Sequence, residues 1–233
     1  MDNNQNNNQA QSKEQIPFKG EVQMPQKLIL IGNSEVGKSC ILEYFIRNQF
    51  SGKMISTIGH EFKKEKIVVD DIKVTFLIWD TAGQEKFRPI IKSYFKGTKA
   101  AFIVFGLDDK KSQNDLRYWF KEIEKGVDTP GIPKIILANK VDLVKEEQID
   151  KEEIEAYKNQ YANKLYYTSA KTGKNIQEAF NEMARLIIKK NKDSVVYGDS
   201  NNNNNNKNKQ EQNLNGTSKL KTNKKKQKKE GCC

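Results

Sequence analysis

Gly32-Asn33-Ser34-Glu35-Val36-Gly37-Lys38-Ser39 has the spacing G-x-x-x-x-G-K-[ST], which suits the binding of phosphate. Such a loop turns backbone N–H groups inward, so glycines stand where a side chain would block approach, and the helix that follows adds the positive end of its dipole. Lys38 can reach a β or γ phosphate, and the Ser39 hydroxyl is a hard oxygen suited to Mg²⁺. Cys40 comes next on the same helix, beside the loop, and is expected to be packed. Alone, the motif could still be a glycine-containing turn with an exposed lysine.

Two further groups bear on the same chemistry. In Asp80-Thr81-Ala82-Gly83-Gln84-Glu85 an acid at a strand end can hold Mg²⁺ through water, and Gly83 lets a backbone N–H approach a γ phosphate. Asn139-Lys140-Val141-Asp142 follows an apolar run, where a loop at the carboxyl end of a parallel strand faces the ligand crevice. Asp142 can accept from the N1 hydrogen and exocyclic amine of guanine, a donor pair that adenine lacks. Lys140 can lay its methylenes along the base, and the backbone of Ser169-Ala170-Lys171 can meet the guanine carbonyl. Singly, DTAGQE could be only a turn with a helix cap, and NKVD alone is better read as a solvated turn.

The elements that must position these residues are visible as alternating short apolar runs and amphipathic stretches. Lys27–Ile31 is expected to be a buried strand, and 38–47 the helix after the loop. Strands over 61–69 and 72–80 flank Asp70-Asp71, which reads as a tight hairpin turn. The runs at 100–107 and 134–138 are continuous apolar strands, as parallel strands covered on both faces should be. A last strand is expected at 165–168, and helices over 114–125, 151–160 and 175–190.

The three blocks, in this order, resemble the Ras superfamily of small GTPases, and the likeness covers residues 25–190. Thr57-Ile58-Gly59-His60-Glu61-Phe62, Ile78-Trp79-Asp80, Lys86-Phe87-Arg88 and Tyr94-Phe95-Lys96-Gly97, with a terminal Cys232-Cys233, are similar to the Rab branch. The resemblance implies an α/β fold: a three-layer P-loop GTPase domain with a mostly parallel six-stranded sheet, one antiparallel edge hairpin strand and about five helices. It implies that Gly32 to Cys40, Phe50, Thr57, Asp80, Gly83, Asn139, Lys140, Asp142 and Ser169 to Lys171 bind GTP or GDP. Ser39, Thr57 and Asp80 would hold Mg²⁺, Phe50 would pack on the guanine, and Gln84 would orient the attacking water. Ile58, Gly59, His60, Glu61 and the aromatic cluster Phe62, Trp79 and Tyr94 would form the surface that partners read.

By the same likeness the γ phosphate orders two switch segments and hydrolysis releases them. Hydrolysis is expected to be slow alone, since no arginine is evident to neutralise the transition state. Exchange factor, activating protein, escort or dissociation-inhibitor protein and effectors are the expected partners, in membrane-bound vesicle trafficking. Three positions depart from the family's pattern: Glu35 replaces a small or neutral residue and is expected to point outward, His60 replaces an apolar one in an exposed loop, and Gly106 stands where Asp is frequent.

The chain has 233 residues, a formal net charge of +11 and three cysteines. The cysteines match no disulfide or zinc framework, and no apolar run is long enough for a spanning helix. Residues 1–24, rich in Asn and Gln, and 191–233 are expected to be flexible. Between Lys207 and Lys229 stand nine lysines against the single acid Glu211, so the basicity belongs mainly to a tail. The resemblance implies that Cys232 and Cys233 both carry lipid, and two such chains with a basic tail would satisfy the rule that stable anchoring takes two signals. The expected location is therefore the cytoplasmic face of membranes, cycling with the cytosol. Two other readings stay open: a scaffold that holds nucleotide without hydrolysing it, and a nucleic-acid binder using the tail. The second is disfavoured because no aromatic residue follows Tyr197 for bases to stack on.

Overall fold

The apolar runs form strands buried on both faces, and their period of two divides the core into halves. In the computed structural model, which describes residues 18–52, 60–83 and 93–197 (only the backbone for His60 and Glu61), the elements run as follows. They are β1 (Gly20–Val22), β2 (Gln26–Ile31), α1 (Lys38–Arg47), β3 (His60–Val69), β4 (Ile72–Thr81) and β5 (Ala100–Gly106). Then come α2 (Lys110–Asn114), α3 (Leu116–Gly126), β6 (Lys134–Asn139), α4 (Lys151–Tyr161), β7 (Lys164–Tyr167), α5 (Ile176–Lys190) and β8 (Val195–Tyr197).

Leu28 and Leu30 pack with Phe76, Ile78, Phe102 and Val104 beneath Ile41 of α1 and Phe180 and Met183 of α5. Their neighbours Ile29 and Ile31 face the other way, with Ile103 and Phe105, beneath Trp119 and Phe120 of α3 and Ile154 of α4. The three-layer α/β expectation holds, with five α-helices among the described residues. The helix expected over 114–125 is α3, and a separate short helix, α2, precedes it, because Asp109 caps that turn with its side chain on the Lys111 N–H and Asp115 divides α2 from α3.

The sheet runs in the order β7-β6-β5-β2-β4-β1-β8, with β3 on β4. Pairings β2–β4, β2–β5, β5–β6 and β6–β7 are parallel, while β3–β4 is antiparallel. Asp70 and Asp71 both adopt positive φ, 50° and 60°, which two-residue type I′ hairpin turns require.

The sheet has eight strands, not the expected six. β4 is ten residues long, and β2 pairs only with Phe76 to Asp80, leaving its first residues a partner short on that side. There β1 pairs in parallel with Ile72 and Lys73, and β8 adds antiparallel to β1. Lys73 pairs with Glu21 at 2.7 Å, and the Lys19 and Gly20 N–H groups donate to the Asp71 carbonyl at 2.7 and 3.2 Å. Gly20 lies opposite Tyr197, and a Cβ there would touch the tyrosine ring at 3.0 Å. Both added strands stand outside 25–190. Each has three residues and exists only through partners distant in the chain.

Candidate nucleotide-binding site

Gly32 to Gly37 join the end of β2 to the start of α1, as the phosphate-loop pattern requires. Gly37 has φ +94° and approaches the Asn139 side chain so closely that a Cβ would overlap its amide nitrogen. Lys38 is 5% exposed, and its ammonium donates to the carbonyls of Asn33 at 2.6 Å and Gly32 at 3.0 Å. Burial lowers its pKa to about 8, against which nearby Asp80 favours the charged form. An ammonium held this way is best served by an anion, which a phosphate supplies.

The Ser39 hydroxyl donates to Asp80 Oδ2, bringing the end of β4 onto the first turn of α1. Asp80 is fully buried. A hydroxyl and a carboxylate touching beside a phosphate cradle are the oxygen donors that Mg²⁺ takes, usually with water and substrate phosphate completing its octahedron. The donor set therefore fits that ion. Thr81 donates through its hydroxyl to the Leu30 carbonyl at 2.7 Å, fixing the β4 end. After it, Gly83 lies against the phosphate loop, since a Cβ there would overlap the Asn33 carbonyl.

Asn139, 1% exposed, ties three loops together. Its amide donates to the Val36 carbonyl at 2.8 Å and its oxygen accepts from Thr168 Oγ1 and the Ala170 N–H, both at 3.2 Å. These contacts use its oxygen and one of the two N–H groups of its amide for positioning. Asp142 is exposed and oriented by Ser169, whose hydroxyl donates to it at 2.6 Å. Lys140 has φ +66°, and its ammonium pairs with Asp108 at 2.9 Å. A side chain at Gly106 would run into that Asp108 carboxylate. The departure at Gly106 thereby acquires a physical sense: the acid that orients Lys140 comes from two residues further on.

Phe62, Trp79 and Tyr94 do form one cluster, with ring centroids 5.7 Å apart in each consecutive pair. Lys27 secures it, its ammonium 4.3 Å from the Trp79 ring centroid and donating to the Lys96 carbonyl at 2.8 Å. Phe62 is 47% exposed, so the cluster presents an apolar edge to solvent. Sequence reasoning missed Lys27, Asp108, Asp115 and Trp119; only the structure shows their partners.

Cys40 is half-buried, and burial raises its thiol pKa, in keeping with a packed role. Phe50 is exposed in the loop after α1. His60 begins β3, paired with Thr81 through the backbone, and is not a loop residue as expected. Thr57, Ile58, Gly59, Gln84, Lys86-Phe87-Arg88, Cys232, Cys233 and the lysine-rich tail lie outside the described residues. Glu35 is exposed, as expected, at φ +63°. A left-handed non-glycine residue costs roughly 1–2 kcal/mol, part of which glycine's greater unfolded freedom offsets. Glu35→Gly should therefore stabilise the chain by about 0.5 kcal/mol in urea unfolding; lowered stability would contradict that.

A phosphate loop between β2 and α1, a magnesium-type donor pair and a base loop at the ends of parallel strands define a P-loop GTPase domain. Comparison agrees: the sequence pattern of the family described as "Ras family" matches residues 27–189. Ras-related protein Rab-13 of Mesocricetus auratus is 35% identical over 164 residues, covering 70% of this chain and 80% of that protein. Ras-related protein Rab-15 of Homo sapiens is 36% identical over 166 residues, covering 71% and 78%. The chain belongs to the Rab family of small GTPases within the Ras superfamily. Members of that family bind GTP and GDP with Mg²⁺, hydrolyse GTP and associate with membranes in general. Among the described residues no helix is long and apolar enough to cross a membrane.

Proposed function

We propose that this chain is a GTP/GDP-controlled switch, tethered to the cytoplasmic face of intracellular membranes, that recruits effectors in vesicle trafficking. The observation that carries the reading is the joining of phosphate loop and base loops by Asn139, with Val36, Thr168 and Ala170 as its partners. Residues Gly32 to Cys40 wrap the phosphates, Asp142 and the backbone of Ser169 to Lys171 read the guanine edge, and Lys140 and Phe50 flank its faces. Ser39, Asp80 and Thr57 are the residues that would hold Mg²⁺. That ion, when bound, neutralises charge on the β and γ oxygens.

Thr57 and Gly83 grasp the γ phosphate and are released on hydrolysis, so residues 57–62 with Trp79 and Tyr94 present a different surface to effectors in each state. Exchange factors, activating proteins and an escort or dissociation inhibitor act on the same surface. Residues 198–233, after β8, serve as a tether, with Cys232 and Cys233 lipidated and Lys224 to Lys229 drawn to anionic headgroups. Residues 1–24 and this tether flank a catalytic domain at 25–190, to which β1 and β8 add their strands.

Gln84 orients the attacking water and an activating protein supplies the arginine, a contribution on the order of 10³ to 10⁵ in rate. Gln84→Leu should then leave GTP affinity unchanged while lowering stimulated hydrolysis by roughly 10² or more, the cost of a misplaced reactant. Single-turnover phosphate release with a matched activator measures it; an undiminished rate would remove Gln84 from the mechanism.

A further inference from the structure

Asn33 is the second residue of the phosphate loop, and its side chain reaches to Asp115 and Trp119 at α3. It is 8% exposed, and both ends of its amide are engaged. Nδ2 donates to Asp115 Oδ2 at 2.9 Å, and Oδ1 accepts from Trp119 Nε1 at 2.8 Å. The two partners orient the amide, since a reversed one would set NH₂ against the indole N–H and oxygen against the carboxylate. They lie 82 and 86 residues away in sequence. Trp119, 1% exposed, packs in the core beside Ile29, Ile103 and Phe120, so the clamp is fixed to the rigid interior.

The main chain of Asn33 matters to the ligand from the other side. Its carbonyl accepts from the Lys38 ammonium at 2.6 Å and also abuts Gly83. One residue thus joins three things: helix α3, the lysine aimed at the β and γ phosphates, and the glycine that opens the second switch segment. A shift of Asn33 by a few tenths of an ångström would move both groups that grip the terminal phosphate.

We propose that Asp115 and Trp119 are positioning residues for nucleotide binding: by clamping the Asn33 amide they set where Lys38 and Gly83 stand, and so how long a guanine nucleotide stays bound. This rests on the reading of the loop as a nucleotide site. Both stand outside the loop, Asp115 at the start of α3 and Trp119 within it. The chemistry is matched, since only a group that donates at one end and accepts at the other satisfies a carboxylate and an indole together. An aspartate at 33 would serve Trp119 but face Asp115, and an asparagine at 115 would then repair the pair.

The test is the dissociation rate of a fluorescent GDP from the full chain with Mg²⁺ present. Asn33→Asp should raise the rate roughly tenfold or more, because two carboxylates then meet in a half-buried place. The double variant Asn33→Asp/Asp115→Asn should return to within about threefold of wild type, since one donor and one acceptor again face each other. Were the harm in Asn33→Asp due to a new negative charge near the phosphates, the double variant would be no better than the single. That outcome, or an unchanged rate in Asn33→Asp, overturns the proposal. Trp119→Phe, which keeps most of the packing and removes the N–H, should also raise the rate several-fold.

A second readout needs no nucleotide release. The chain has two tryptophans, Trp79 and Trp119, so its indole N–H spectrum has two signals. The Trp119 signal should move in Asn33→Asp and return in the double variant; a signal indifferent to residue 33 would contradict the clamp. A wild-type chain that bound no GDP would sink the nucleotide reading itself, whereas tight wild-type binding without rescue would sink this inference alone.

Discussion

Lys38→Ala is expected to weaken GTP binding by about 3 kcal/mol or more, roughly two orders of magnitude, while leaving the fold intact. The ammonium is almost wholly buried and held by two loop carbonyls, with burial already opposing its charge. In an unliganded loop it is therefore a costly group. A triphosphate turns it into a charge-assisted donor in a place of low dielectric, where such bonds are about twice as strong as neutral ones. Alanine also removes the link from the ammonium to the Asn33 and Gly32 carbonyls, so the loop loses its internal brace. Calorimetric titration with GTP and Mg²⁺ reads the effect. A loss under threefold would mean that the backbone amides bind the phosphates without the lysine.

The second large effect is expected in base selection. Asp142 is exposed but not free to turn, because the buried Ser169 hydroxyl, itself accepting from the Thr172 N–H at 3.0 Å, holds one carboxylate oxygen. A carboxylate so placed gains two hydrogen bonds from guanine and none from adenine, and a site of this kind rejects the poorer match by about 10⁴ or more. Asp142→Ala removes the group that makes the distinction. GTP affinity should fall by roughly 10² or more, and the preference for GTP over ATP should shrink to within about tenfold. Competition between the two nucleotides measures both quantities; a preference that survives the substitution would assign recognition to other groups.

Much of this was legible in the residues. Gly32 to Ser39 announced a loop leading from a strand into a helix, and Gly32 to Gly37 form that loop with α1 starting at Lys38, because glycine spacing and apolar runs act locally. Asp70-Asp71 announced a hairpin turn, and both residues take the positive φ it needs. The aromatic cluster was legible through family likeness, and the rings do meet. The strand total was not legible. Gly20–Val22 and Val195–Tyr197 become strands only because β4 outruns β2 and leaves backbone groups to pair, a property of the assembled sheet.

The same limit hid the supports of the site. Lys140 could be placed beside the base from its motif, but its partner Asp108 stands on another loop, and Gly106 made sense only once that carboxylate was seen to fill its space. Asn33 reads as a filler position in the pattern G-x-x-x-x-G-K-[ST]. Its clamp by Asp115 and Trp119 depends on α3 returning beneath the loop, and no local signal carries that. Short-range chemistry was thus readable, whereas the interactions that hold it in place join residues far apart in the chain.

Above all else, this fold should hold a guanine nucleotide. The most direct measurement is to purify the chain in Mg²⁺, denature it and separate what is released by chromatography. Close to one GDP or GTP per chain is expected, and no adenine nucleotide. Protein that releases nothing and takes up no GTP when it is supplied, or that carries ATP or ADP instead, would contradict it.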